Sequence, residues 1–179
     1  MRTKGLVLCL CLAMILALFG CVKRKAPEVM VLKGYPMDHP EGLITQSDEQ
    51  TDLVIDREVF TEGTGSLRVR ASQPITVRLF ELGDLDVENA RLTYQARLRT
   101  QDVDGQVYLE MWCHFPERGE FFSRGLETPL MGTTDWIMVE TPFFLKKGEN
   151  PDDVRLNLVI DGTGTAWIDD IRLLKGPLQ

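Results

Sequence analysis

The sequence predicts an all-β protein, an antiparallel β-sandwich of the jelly-roll kind, and three observations carry that prediction. Apolar and polar residues alternate with a period of two over several runs, glycine-centred turn signals fall between the runs, and helical apolar spacing is missing after the first 20 residues. A short helical turn over Asp84 to Asn89 is the one local exception the residues suggest.

The runs follow in order. Leu67, Val69 and Ala71 alternate with Arg68 and Arg70; Ile75, Val77 and Leu79 with Thr76, Arg78 and Phe80; Leu92, Tyr94, Ala96 and Leu98 with Thr93, Gln95, Arg97 and Arg99. Val107, Leu109, Met111, Cys113 and Phe115 alternate with Tyr108, Glu110, Trp112 and His114, and Leu156, Leu158 and Ile160 with Arg155, Asn157 and Val159. Each run has one apolar face, as a half-buried strand requires. Glu62-Gly63-Thr64-Gly65, Asp104-Gly105, Lys147 to Pro151 and Asp161-Gly162-Thr163-Gly164 read as the turns that separate them. Trp136 and Trp167 read as core residues. No internal repeat or low-complexity tract interrupts the pattern.

The start of the chain has a different character. Met1-Arg2-Thr3-Lys4 is basic, Gly5 to Phe19 is apolar, and Gly20-Cys21 follows. That is the layout of an export signal with a small residue before the cut. The apolar run is shorter than the ~20 residues of a spanning helix, which weighs against the alternative of an uncleaved anchor. Leu18-Phe19-Gly20-Cys21 resembles a bacterial lipobox, apart from Phe19 at a place where smaller or β-branched residues are usual. The resemblance implies that Cys21 is lipidated by a diacylglycerol and acylated, palmitate-like chains included, and that the protein sits in the cell envelope facing periplasm or exterior. The expected organisation is a signal peptide over 1–20, a lipidated tether over 21–35 and a sandwich domain over 36–176. Removing Arg2 and Lys4 with the signal takes the net charge of −7 further negative. Such acidity excludes nucleic acid as a partner, because phosphate binding needs a basic footprint. Lys23-Arg24-Lys25, beside the lipid site, suits anionic headgroups instead. Of the four cysteines, Cys9 and Cys11 leave with the signal and Cys21 is lipidated. Cys113 then stands alone, and no internal disulfide is available.

Within the sandwich, Gly63-Thr64-Gly65-Ser66-Leu67-Arg68-Val69, Leu92 to Arg99, Trp136 and the ending Gly162 to Leu173 resemble strands of the galactose-binding-like jelly rolls, the fold of many carbohydrate-binding modules. The resemblance spans about Tyr35 to Lys175. It implies a fold and leaves the ligand open.

Three features carry candidate chemistry. Asp169 alternates with Trp167, Ile171 and Leu173, so its carboxylate is expected on a core-facing position and must be paired, hydrogen-bonded or metal-bound. The resemblance implies a structural calcium held by Asp169, backbone carbonyls and an acid of the N-terminal segment, Asp38 or Glu41; backbone amides or an arginine would serve as well. Tyr108, Glu110, Trp112 and His114 share one strand face, and Arg97 is expected to join them. Planar rings beside polar groups suit sugars, which stack their C–H faces and need directional partners for their hydroxyls. Cross-strand ion pairs and packing are the plainer use of the same residues. The stretch from Pro116 to Gly125 reads as a long loop whose Phe121 and Phe122 either reach the ligand or cap the sandwich.

Catalysis has little to build on. His39 and His114 are the only histidines, no nucleophile, zinc or phosphate motif occurs, and Cys113 falls on an apolar face. The expected function is therefore a non-catalytic envelope lipoprotein binding a glycan or an envelope protein. A scaffolding lipoprotein without a glycan ligand is the alternative.

Overall fold

The computed structural model describes residues 28–39, 42–43, 51–83 and 85–178. The signal, Cys21, Glu41 and Asp84 lie outside the described residues. All described secondary structure is β, in eight strands: β1 (Met30–Tyr35), β2 (Thr51–Asp56), β3 (Ser66–Ala71), β4 (Ile75–Gly83), β5 (Ala90–Phe115), β6 (Gly119–Arg124), β7 (Leu130–Leu145) and β8 (Asp153–Gly176). The segment Met30–Tyr35, expected as the end of the tether, is thus a strand, paired antiparallel with β8. The fold is the antiparallel β-sandwich that the alternation predicts.

Two long strands organise it. β5 has 26 residues and β8 has 24, and they pair with each other over nearly their whole length. Both bend midway, and the bend folds one continuous sheet into two layers. Layer 1 holds β1, β2, β3, residues 134–145 of β7, residues 90–101 of β5 and residues 164–176 of β8, and the start of β7 follows β5 round the bend, Gly132 pairing with Val103 and Leu130 with Val107. Layer 2 holds β4, β6, residues 103–115 of β5 and residues 153–163 of β8.

Asp104-Gly105 and Asp161-Gly162-Thr163-Gly164 make the corner, so they are bends inside strands rather than turns between them. Gly105 pairs with Gly162 across the corner, with φ of 116° and 147°. A Cβ on Gly105 would meet the Asp161 carbonyl oxygen at 2.1 Å, and one on Gly162 the Asp104 oxygen at 1.9 Å. Only glycine lets the two backbones approach so closely while turning.

The layers share one core. Leu67, Tyr94, Leu98, Leu109, Met111, Leu156, Leu158, Ile160 and Ile168 are fully buried between them. Burial pushes the Tyr94 hydroxyl well above its ordinary pKa, and the Cys113 thiol is pushed up to about 12 by burial and by Asp153. Cys113 is an inert core thiol. Where β6 meets β7, the Ser123 hydroxyl donates to the Pro142 carbonyl at 2.6 Å and lies 2.7 Å from Thr141 Oγ1, which closes one edge of the sandwich.

Two bulges reset the alternation. At Arg78/Phe80 the pairing of β4 slips, so that Phe80 turns inward beside Leu79 and stacks on Tyr35 at 3.6 Å. At Asp170, with φ of 47°, β8 takes an extra residue opposite Gln95–Arg97. Ile168 and Ile171 therefore both face the core, and Trp167 and Asp169 point outward from layer 1.

Candidate functional site

The corner decides which candidate residues meet. Tyr108, Glu110, Trp112 and His114 line the outer face of layer 2, as their alternation predicts. Arg97 stands before the corner on the outer face of layer 1, 3.9 Å from Asp170, and does not join them. The expected grouping is corrected on that point: a bend in mid-strand sends the two halves of β5 to opposite faces of the molecule.

Glu110 is the hub of the layer 2 face. It is only 4% exposed, and both carboxylate oxygens are engaged. Oε1 accepts Trp112 Nε1–H at 2.7 Å and Asn157 Nδ2–H at 3.0 Å, and Oε2 accepts Arg124 Nε–H at 2.6 Å. Burial raises the Glu110 pKa, but the hydrogen bonds from Asn157, Trp112 and Arg124 together with the arginine charge outweigh it. The carboxyl is held below its ordinary value near 4.5, so Glu110 is ionised at neutral pH. The same bond raises the pKa of Arg124. A low-pKa carboxylate with its oxygens already engaged is a poor general acid.

Register places the neighbours. Asn157 and Arg124 flank Glu110 from β8 and β6, and Arg155 and Phe122 flank Trp112 in the next row. Phe122 tilts by 47° against Trp112 with ring centroids 5.0 Å apart, and Arg124 sits 4.4 Å over the Phe122 ring. Arg155 lies 5.7 Å from the Trp112 centroid and pairs with Glu120 and with Asp153. His114 Nδ1 is 2.6 Å from Asp152 Oδ1 at the end of the row. Trp112 is half-buried and Phe122 is 51% exposed, so the two rings form an open platform framed by charged groups. At the other end Tyr108 is mostly buried and borders a shallow depression of about 260 Å³ with Pro74, Thr76, Val159 and Asp161.

The sequence offers Phe122 together with Phe121, but with 116–125 read as a loop it does not place Arg124 on this face. Only 116–118 is a turn, and Gly119–Arg124 is strand β6. Phe121 pairs in register with core-facing Cys113 and sets its ring edge-on to Phe115 at 5.9 Å. Phe121 thus caps the sandwich edge, and its neighbour Phe122 takes the expected place. Alternation counted forward from a tight Pro116–Arg118 turn is the signal that places them.

Asp169 clamps a loop. Its side chain is wholly buried beneath the segment between β2 and β3. Oδ2 accepts the N–H of Thr61 at 2.8 Å and of Glu62 at 3.1 Å, and Oδ1 accepts the N–H of Asp170 at 2.7 Å. Asp38 accepts the N–H and hydroxyl of Thr64 in the same loop. Calcium would require oxygen donors where these N–H groups point. The arrangement does not fit the expected ion, and among the described residues no group of three potential metal ligands occurs. Trp167, expected in the core, lies on the outer face of layer 1 and donates Nε1–H to Asp56 at 2.9 Å, while Trp136 is half-exposed.

No protein-family model and no curated protein matches this chain. Solved structures do. The chain is similar to the CBM22-1 xylan-binding domain of Paenibacillus barcinonensis Xyn10C, with a TM-score of 0.61 at 10% identity over 86% of this chain and 99% of that domain. A C-terminal family 22 carbohydrate-binding module of Clostridium thermocellum Xyn10B gives 0.54 at 9% identity over 80% and 91%. The CBM22-2 xylan-binding domain of the Paenibacillus protein gives 0.51 at 11% identity over 79% and 98%. At such identities the shared feature is the β-sandwich fold of carbohydrate-binding modules.

Proposed function

We propose that this chain is a non-catalytic cell-envelope lipoprotein whose sandwich binds a glycan on the outer face of layer 2. The observation that carries the reading is the Trp112–Phe122 pair, half open to solvent beside Glu110, Asn157, Arg124 and Arg155. A pyranose ring stacks its apolar face on such a platform, and the two arginines offer donors to its hydroxyls, while Asn157 is buried against Glu110. Glu110 acts by holding Trp112 and Arg124 in place rather than by proton transfer. Xylan and related β-linked glycans are the first ligands to test, because the similar modules are xylan-binding domains. Lipidation at Cys21 and an envelope location rest on the leader sequence.

One observation favours the scaffold alternative. The charged groups of the face are already paired with each other, Arg155 with Glu120 and Asp153, and Arg124 with Glu110. Calorimetric titration of xylan, xylo-oligosaccharides, cello-oligosaccharides and peptidoglycan fragments separates the two. Binding of any of them that disappears in Phe122→Ala supports the glycan reading, and silence across the panel moves the assignment to the scaffold.

A further inference from the structure

The outer face of layer 1 carries a second surface, at the end where β1 begins. Val29, Val31 and Phe144 are each a little over half exposed, at 52%, 55% and 53%. Register brings them onto one face. Val31 pairs with Leu174, Leu174 with Thr93 and Thr93 with Pro142; one row on, Gly176 pairs with Arg91 and Arg91 with Phe144. Val29 reaches over Gly176, where a Cβ would meet its Cγ2 at 3.6 Å and Arg91 Nη2 at 3.9 Å. The result is an apolar strip with an arginine in its centre.

Cations frame the strip. Arg91 stands within the strip and Lys146 and Lys147 continue from Leu145 at the end of β7, while Lys175 pairs with Met30 and Leu92 in the row on the other side of the sheet and so borders the strip only at its edge. Of the acids at this end, Glu88 accepts the N–H of Gly148, and Glu149 is bound to Arg118 and to the N–H of Lys146. Glu28 precedes Val29. A cationic, apolar strip on a chain of net charge −7 is a departure from the general surface. It is also a poor match for a second copy of the same strip, which would bring like charges together.

We propose that this face docks on an anionic lipid bilayer, so that the domain lies on the membrane by layer 1 and turns the Trp112–Phe122 platform away from it. The inference rests on the reading that Cys21 is lipidated. Val29 follows Cys21 by eight residues. Even fully extended, such a stretch spans only about 26–29 Å, so an anchor at Cys21 keeps the start of β1 close to the headgroups. Aliphatic and aromatic side chains flanked by lysine and arginine are what an interfacial surface presents to such a bilayer. Anchoring by acyl chains supplies the attachment, and the strip supplies the orientation.

The test is hydrogen exchange of the full lipid-bearing protein in vesicles of phosphatidylethanolamine and phosphatidylglycerol at three to one, against the same protein in neutral detergent. Docking slows exchange by about tenfold around residues 29–31, 142–147 and 172–176 and leaves 108–114 unchanged. Replacing phosphatidylglycerol with phosphatidylcholine weakens the protection, and each cation removed weakens docking by roughly fivefold. The double variant Val31→Glu with Phe144→Glu, both at exposed positions, keeps the parent melting temperature and still floats with the vesicles but loses the protection. Flotation without protection in the parent protein overturns the docking face and leaves the anchor standing. No flotation and no lipid mass on Cys21 overturns the anchor reading and the docking with it. Equal protection in detergent with a doubled mass by light scattering overturns docking in favour of a second copy.

Discussion

The outer faces of the two layers are built from opposite halves of the same strands, β5 and β8, and the chemistry changes at the corner between them. On layer 2 one buried carboxylate, Glu110, gathers an indole N–H, an amide and a guanidinium and leaves two aromatic rings open beside them. On layer 1 the carboxylates serve the backbone and its loops. Asp169 holds three N–H groups, Asp56 holds Trp167 and the N–H groups of Glu58 and Val59, and at the end where β1 begins Val29, Val31 and Phe144 stand open beside Arg91. A fixed carboxylate beside rings makes a surface for a polar, ring-shaped ligand, whereas aliphatics beside lysines make one for lipid. The comparison teaches that a mid-strand bend, more than strand composition, separates the two surfaces.

Breaking the corner should do most. Gly162→Ala puts a methyl against the Asp104 carbonyl oxygen at a backbone angle side chains rarely adopt, so a loss above about 4 kcal/mol is expected. Chemical denaturation measures it, and a near-parental midpoint would remove the corner from the account. Next comes the hub. Glu110→Leu strands Arg124, Asn157 and the Trp112 N–H, and should cost on the order of 3–5 kcal/mol. On the other face Asp170→Asn, which keeps an acceptor for Arg172 2.7 Å away, should cost about 1 kcal/mol. Equal losses would mean that neither face has a hub.

Asp169→Ala frees three N–H groups and should cost about 2–4 kcal/mol by the same measurement. Chelator should leave the melting temperature of the parent unchanged, because the carboxylate is satisfied by protein donors; a drop that calcium restores would contradict that geometry. The pH dependence is smaller and has a defined sign. A carboxyl whose folded-state pKa is depressed stabilises fully above its unfolded value and loses that contribution as pH falls through the folded one. Stability of the parent should therefore fall below about pH 4.5, and Glu110→Gln should flatten that part of the profile.

The strands and the layer 2 face were legible because alternation is a local signal, and Glu110, Trp112 and His114 share a face on any reading of their run. The corner was not. Asp104-Gly105 and Asp161-Gly162 have the composition of hairpin turns, and only their pairing with each other across the sheet turns them into bends. The bulges at Phe80 and Asp170 were equally hidden, since one extra residue reverses the alternation without a mark in composition. That reversal moved Trp167 outward and placed Asp169 under a loop instead of in the core. Arg97 was misplaced by the corner, and Phe121 by the unrecognised hairpin that forms β6. The role of Asp169 was half legible: its need for partners follows from burial, but which partners depends on a loop more than 100 residues away in sequence.

The central claim is that the Trp112–Phe122 platform binds glycan and the outer face of layer 1 does not. Calorimetric titration of the glycan panel into the parent, Trp112→Ala and Phe144→Ala tests it most directly. The account predicts binding in the parent, unchanged binding in Phe144→Ala, and at least a tenfold loss in Trp112→Ala, equivalent to about 1.4 kcal/mol. Trp112 is partly buried and donates to the buried Glu110, so its removal should cost about 3 kcal/mol of stability, and a denaturation midpoint measured beside the titration confirms that the variant is folded. Glycan binding that survives in Trp112→Ala, or that vanishes in Phe144→Ala, would contradict the account.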